Sequence, residues 1–130
     1  MPILDTDILV ALLRGQPDAS KKINELQENG SPLSTTAITA YELLKGARLS
    51  KQAEQNTEKV QDLLQNIVIL ELDFKACDQA ATLYAETAKK DASPGEFDIL
   101  IAAITATNHE CLVSRDRHFQ TLLPKSTERW

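Results

Sequence analysis

At 130 residues the chain has the length of one ordinary domain and can bury a core without disulfides or structural metal. Its 42% hydrophobic and 25% charged residues are those of a soluble globular protein, and no apolar run approaches the roughly 20 residues a membrane-crossing helix needs. The formal net charge of −5 argues against a protein that grips nucleic acid through overall positive charge. Two cysteines, Cys77 and Cys111, are too few for a disulfide framework and are expected as buried, reduced thiols. Met1-Pro2-Ile3 offers no basic leader region, and Asp5 and Asp7 interrupt the apolar stretch, so the expectation is a cytoplasmic protein with no secretory signal.

In chain order, residues 2–5 (PILD) read as a short buried strand. Asp5-Thr6-Asp7 then supplies cap-type residues before ILVALLRG, a short helix stopped by Gly15. Pro17 and Asp18 start a second helix that ends at Asn29-Gly30, and residues 32–35 (PLST) read as a second strand. Thr36 is placed to cap a helix running to about Leu49. A polar helix over roughly 51–66 follows, with Val60, Leu63 and Leu64 as its apolar stripe. Residues 67–70 (IVIL) form a third strand, and Asp73 caps a long helix from Phe74. The segment 91–95 (DASPG) reads as a loop. The helix 96–107 is apolar nearly all round and should be central. CLVS (111–114) is a fourth strand, and STERW at the end is a candidate short edge strand. Strands alternating with helices predict a single α/β domain over residues 1–130, with a central parallel sheet of four to five short strands covered on both faces.

Four carboxylates stand out against this pattern. Asp5 ends the first strand, Glu42 lies inside TAITAYELLKGA, Asp98 heads GEFDILIAAITA, and Asp116 follows CLVSRD. Unpaired charges are expensive to bury, so acids inside apolar segments call for a compensating partner. In an open parallel sheet, ligands bind at the carboxyl ends of the strands. A helix leading into a parallel strand runs antiparallel to it and starts at that same edge, so all four acids can meet there. Each also has a structural reading. Asp5 and Asp7 can cap the first helix, and Glu42 can border an amphipathic face. Asp98, like Glu96, can complement a helix dipole, and Asp116 can cap RHFQTLL.

Acids gathered at one edge repel each other, and a divalent cation makes such a cluster tolerable. Oxygen ligands suit Mg²⁺ or Mn²⁺ rather than Zn²⁺, and the spacing of His109, Cys111 and His118 matches no closed zinc site. Asp5 and Asp98 are the first candidates for direct ligands, with Glu42 and Asp116 acting directly or through water. Such ions activate water and polarise phosphoryl oxygens. The Ser114 hydroxyl, Lys45 and Arg115 are candidates to meet substrate, within a basic rim of Arg14, Arg48, Lys51, Arg117 and His118. Removing the four acids from the count changes the net charge from −5 to −1, so the remaining basic residues can still meet phosphate.

The pieces LDTDILV, YELLKGA, FDILIAAITA and LVSRDRHF, in this order and spacing, resemble the PIN-domain ribonucleases, and within them the VapC-type toxins of toxin–antitoxin pairs. The resemblance spans nearly the whole chain. It implies a metal-dependent endoribonuclease with Mg²⁺ or Mn²⁺ in an acidic pocket, a homodimer, and a cognate antitoxin whose tail enters the active-site groove. Asp5, Glu42, Asp98 and Asp116 match the family's acidic positions. Asp7 stands where members often have Asn, Ser114 where they often have Thr, and Glu96 is an additional acid at the pocket edge. The rivals are a PIN-fold protein that binds without cutting, a receiver-type module phosphorylated at Asp73, and a phosphatase built on Asp5-Thr6-Asp7. The receiver leaves Glu42 and Asp98 unused. The phosphatase lacks the Thr or Val its motif wants at Leu9.

Overall fold

Apolar side chains on alternating sides of very short strands decide how the layers assemble. The computed structural model describes residues 1–90 and 94–130, so the front of the loop expected at 91–95 lies outside the described residues. The order is β1 (Ile3–Leu4), α1 (Thr6–Leu13), α2 (Pro17–Glu28), β2 (Ser34–Thr36), α3 (Ala37–Leu49), α4 (Ala53–Gln65), β3 (Val68–Leu70), α5 (Phe74–Ala88), α6 (Glu96–Thr107), β4 (Leu112–Val113), α7 (His118–Leu122) and β5 (Thr127–Glu128). Successive strand residues face opposite sides. Leu4 and Val113 accordingly enter a core with Ile8, Ile23, Leu43 and Val60 from α1–α4. Ile3 and Leu112 enter the opposite core with Ile101, Phe119 and Leu122 from α6 and α7. This is one α/β domain with helices on both faces of one sheet.

All strands are parallel, in the order β3-β2-β1-β4-β5. From β1 the chain moves outward to β2 and β3, then returns to lay β4 on the other side of β1. The strand order reverses between β1 and β4, and a crevice opens at the carboxyl ends of two such strands. The register Leu4↔Val113 makes Asp5 and Ser114 the next residues along that edge.

Helix ends follow local chemistry. Thr36 accepts from the Thr39 N–H at 3.1 Å and Asp73 from the Ala76 N–H at 2.9 Å, the two caps read from sequence. Gly15 and Gly30 take φ of 73° and 77° just beyond α1 and α2, a left-handed conformation that costs glycine little. The apolar run of α6 buries Ile99 and all of Ile101 to Thr105, making it the expected central helix. Full burial of an isoleucine such as Ile101 or Ile104 contributes about 1.5–3 kcal/mol.

Two expectations are corrected, the start of β2 and the burial of the cysteines, and the candidate edge strand at the tail is present. β2 begins at Ser34 rather than at Pro32, which has no N–H for the ladder. Its polar residues are fully buried because Ser34 Oγ donates to Pro2 O at 2.8 Å and Thr35 Oγ1 to Leu4 O at 2.7 Å. The tail forms β5, paired parallel to β4. Cys77 is exposed and Cys111 half-buried, because α5 turns Ala76 and Ala80 inward and leaves Cys77 on its outer face.

Candidate acidic site at the sheet edge

Asp5 takes the N-cap position of α1, yet its side chain makes no cap bond. The Asp5 N–H donates to Val113 O at 3.1 Å, which carries the β1–β4 pairing one step past the strands. That step sets Ser114 beside it, and Ser114 Oγ donates to Asp5 Oδ2 at 2.6 Å. Both residues are buried, Asp5 to 5% exposure and Ser114 to 2%. Ser114 Oγ also accepts from the Asp116 N–H at 3.0 Å, so one hydroxyl orders two of the four acids.

Glu42 lies in the second turn of α3. Thr6 Oγ1 donates to Glu42 Oε1 at 3.1 Å and lies 3.1 Å from Thr39 Oγ1, which places a cluster of hydroxyls beneath the carboxylate. Asp98 sits in the first turn of α6. Asp116 accepts from the His118 N–H at 2.9 Å, so it organises the start of α7 while facing the other acids. All four carboxylates line one open cleft of about 460 Å³, together with Thr6 and Asp7. Glu96 is exposed and lies outside this lining, as a helix-dipole residue would.

The electrostatics leave these acids short of counter-charge. Burial raises the Asp5 carboxyl to about 7; the Ser114 hydrogen bond opposes that rise, and the charges of Asp7 and Asp98 add to it. Burial also raises Glu42, against the Thr6 hydrogen bond, with Asp98 raising it further and Lys45 lowering it. Asp98 is raised by burial and by Asp116, with His118 opposing. Asp98, Asp116 and His118 offer ligand atoms within 4.8 Å of one another. His118 Nδ1 lies 3.2 Å from Asp116 Oδ1 and 3.8 Å from Asp98 Oδ2. The donor set is hard oxygen with a single imidazole, and acids whose ionised forms are disfavoured without a counter-charge fit a divalent metal. Asp5 and Glu42 stand outside that tight trio. His109 and Cys111 are not part of it.

Sequence reasoning missed a second network. Asp7 makes no helix cap. Its Oδ2 accepts from the Arg115 N–H at 2.8 Å and its Oδ1 from the Trp130 indole N–H at 3.0 Å. The Arg115 guanidinium stacks over the Trp130 ring at 3.5 Å, donates to Trp130 O at 2.8 Å and pairs with Asp18. That pairing lowers the Asp18 carboxyl. The tail thereby forms one wall of the cleft, a contact visible only once β5 is known to pair with β4.

The basic rim is narrower than the sequence suggests. Arg14 and Arg115 line the cleft, whereas Arg48, Lys51 and Arg117 do not. Lys45 is also outside the lining and lies over the rings of Tyr41 and Phe97, at 5.3 and 5.5 Å. Ser114 is turned to Asp5 rather than to the open cleft, because its one hydroxyl proton is engaged there. Asp73, the residue a receiver-type module would phosphorylate, caps α5 and lies outside the cleft. No helix among the described residues is long and apolar enough to cross a membrane.

Residues 3–122 match the PIN domain family. The chain is 30% identical over 129 residues to Ribonuclease VapC2 of Haemophilus influenzae, covering 98% of this chain and 96% of that one. It is 26% identical, with the same coverage, to the tRNA(fMet)-specific endonuclease VapC of Salmonella typhimurium. Among solved structures, VapBC2 from Rickettsia felis bound to a promoter DNA fragment superposes with a TM-score of 0.89 at 26% identity, covering 99% of this chain and 98% of that one. PIN-domain nucleases generally depend on a divalent metal.

Proposed function

This chain belongs to the PIN-domain family, with VapC ribonucleases as full-length relatives, and we propose that it is an endoribonuclease toxin that cuts RNA at the Asp5–Glu42–Asp98–Asp116 cleft. The observation that carries this reading is the meeting of four acids at the β1–β4 switch point, each oriented by a neighbouring hydroxyl, backbone group or helix start. In this reading residues 1–130 act as one catalytic unit, supported by the pairing of β5 with β4 beyond the family match.

The ion is Mg²⁺, with Mn²⁺ able to substitute. Asp98 and Asp116, with His118 beside them, would form the tightest donor set, and Asp5 and Glu42 would complete it directly or through water. When bound, such a cation supplies Lewis acidity to the phosphoryl oxygen and acidifies the attacking water. The chain's own residues do the positioning. Ser114 fixes Asp5, Thr6 fixes Glu42, and Arg115, locked by Trp130 and Asp18, presents cationic charge at the cleft wall where a phosphate would lie. Ser114 thus supports an acid instead of touching RNA.

The partners follow from the same reading: an RNA substrate and a cognate antitoxin. A second groove, lined by Leu13, Leu43 and Val60, shares Thr6, Arg14 and Glu42 with the acid cleft and is the place for an antitoxin segment. Homodimerisation and a cytoplasmic site of action belong to this proposal too. Exposed Phe74 and Tyr84 supply apolar surface for a second copy.

The test is purified protein with RNA, with Mg²⁺ or Mn²⁺ and with chelator, beside Asp5→Asn and Asp98→Asn. tRNA is the first substrate to try, because the Salmonella relative is named for cutting it. Metal-dependent cleavage lost in both variants is expected. Cleavage that survives both would overturn the site assignment. Growth arrest on expression, absent in the variants, tests the toxin role.

A further inference from the structure

Aromatic residues are scarce in this chain, six in all. Two of them directly precede cleft acids: Tyr41 before Glu42 on α3, and Phe97 before Asp98 on α6. Their rings meet edge to face, with centroids 5.8 Å apart and planes at 86°. Tyr41 remains 53% exposed. Lys45, one turn after Tyr41, sets its ammonium over both rings and is near enough to lower the Glu42 carboxyl. The three side chains therefore form a preassembled aromatic and cationic shelf beside the acid cleft, built on two rigid helices rather than on loops.

We propose that this shelf is a nucleobase subsite: Tyr41 stacks an unpaired base of the RNA beside the scissile phosphate, Phe97 braces the Tyr41 ring edge to face, and Lys45 meets the backbone. The inference rests on the nuclease reading above and adds what the acid cleft alone cannot supply. Acids with a metal recognise a phosphodiester and carry no preference for a single strand. A stacking face takes only a base that has left its helix, so Tyr41 would select which nucleotide of an RNA sits against the acids. Two observations favour this occupant over a second copy of the chain. The cationic charge is complementary to phosphate, and the aromatic residues directly precede the acids in both helices.

The experiment uses the intact protein and measures binding apart from cutting. Fluorescence anisotropy of labelled single-stranded RNA oligonucleotides, each with one abasic nucleotide at a different position, is recorded in Ca²⁺ for wild type, Tyr41→Ala and Tyr41→Phe. One abasic position should weaken binding to wild type by about tenfold. Tyr41→Ala should weaken binding to intact RNA by a similar factor, add nothing at that abasic position, and be rescued by Tyr41→Phe. In Mg²⁺, Tyr41→Ala should raise KM with kcat little changed. A flat abasic scan, or intact affinity in Tyr41→Ala, overturns the shelf even where wild type cleaves RNA. Sedimentation showing that Tyr41→Ala breaks a dimer, with no abasic-specific effect, assigns the face to a second copy instead. Absence of metal-dependent cleavage by wild type overturns the nuclease reading, while the anisotropy still decides whether a base is held.

Discussion

Ser114 donates to Asp5 across the switch point at 2.6 Å, and this bond does not prevent the Asp5 carboxyl from rising to about 7. Burial and the neighbouring Asp7 and Asp98 charges outweigh it. In the unfolded chain the same carboxyl has its ordinary value of 3.8. Protonated Asp5 therefore favours the fold fully below that value, and the advantage is lost as pH rises toward 7. The total is on the order of 4 kcal/mol at about 1.4 kcal/mol per pH unit. Asp5→Asn has no such titration. In chelator at pH 8 the variant is expected to melt at a higher temperature than wild type, with the gap closing by pH 4. Thermal melts across that range measure it; a variant less stable than wild type at pH 8 contradicts the burial argument.

A cation that binds ionised acids must displace the proton of Asp5, raised to about 7, at a site where burial also raises Glu42 and Asp98. Affinity for Mn²⁺ should rise between pH 6 and pH 8, and binding at pH 6.5 should release protons. Titration calorimetry in two buffers of different ionisation enthalpy reads the release directly. Equal heats in both buffers would mean that the acids are already ionised without metal. Removing the cation with chelator is expected to abolish cleavage and lower the melting temperature of wild type but not of Asp5→Asn.

Thr6 supports Glu42 through one hydroxyl, at 3.1 Å. Thr6→Val keeps the shape and deletes the donor. The expected loss is about 10- to 100-fold in kcat or metal affinity, the usual cost of removing a group that orients a ligand. Thr6→Ser should restore most of it. Steady-state cleavage of one RNA by the three proteins decides the matter, and an unchanged Thr6→Val enzyme would show that Glu42 needs no such support.

Arg115 lines the cleft and is held by Asp18 and the Trp130 ring. If it meets phosphate, Arg115→Ala should weaken RNA binding about uniformly across sequences and reduce the salt slope of binding by about 1. The check is affinity over a series of salt concentrations with two unrelated RNAs. A loss confined to one sequence would mean that Arg115 reads a base.

The four acids were legible because charges inside apolar runs are costly, and helix order alone assigned them to one edge. Thr36 and Asp73 were legible as caps because their partners lie three residues away. What stayed hidden depends on pairing across the sheet. Asp7 reads locally as a helix cap, and only the register of β4 and β5 brings it to Arg115 and to Trp130, 123 residues distant. Ser114 reads as an open hydroxyl until the Leu4↔Val113 register turns it toward Asp5. β2 was misplaced for a related reason. Nothing local shows that the hydroxyls of Ser34 and Thr35 will find carbonyls on the neighbouring strand.

Trp130 is the sole tryptophan of the chain, and its indole faces the acid cleft between Asp7 and Arg115. The protein thus carries a built-in optical reporter. Its emission comes from one place, beside the charges of Asp7 and Arg115. Occupancy of the cleft can therefore be followed in unlabelled protein, cation and RNA each leaving its own spectral signature.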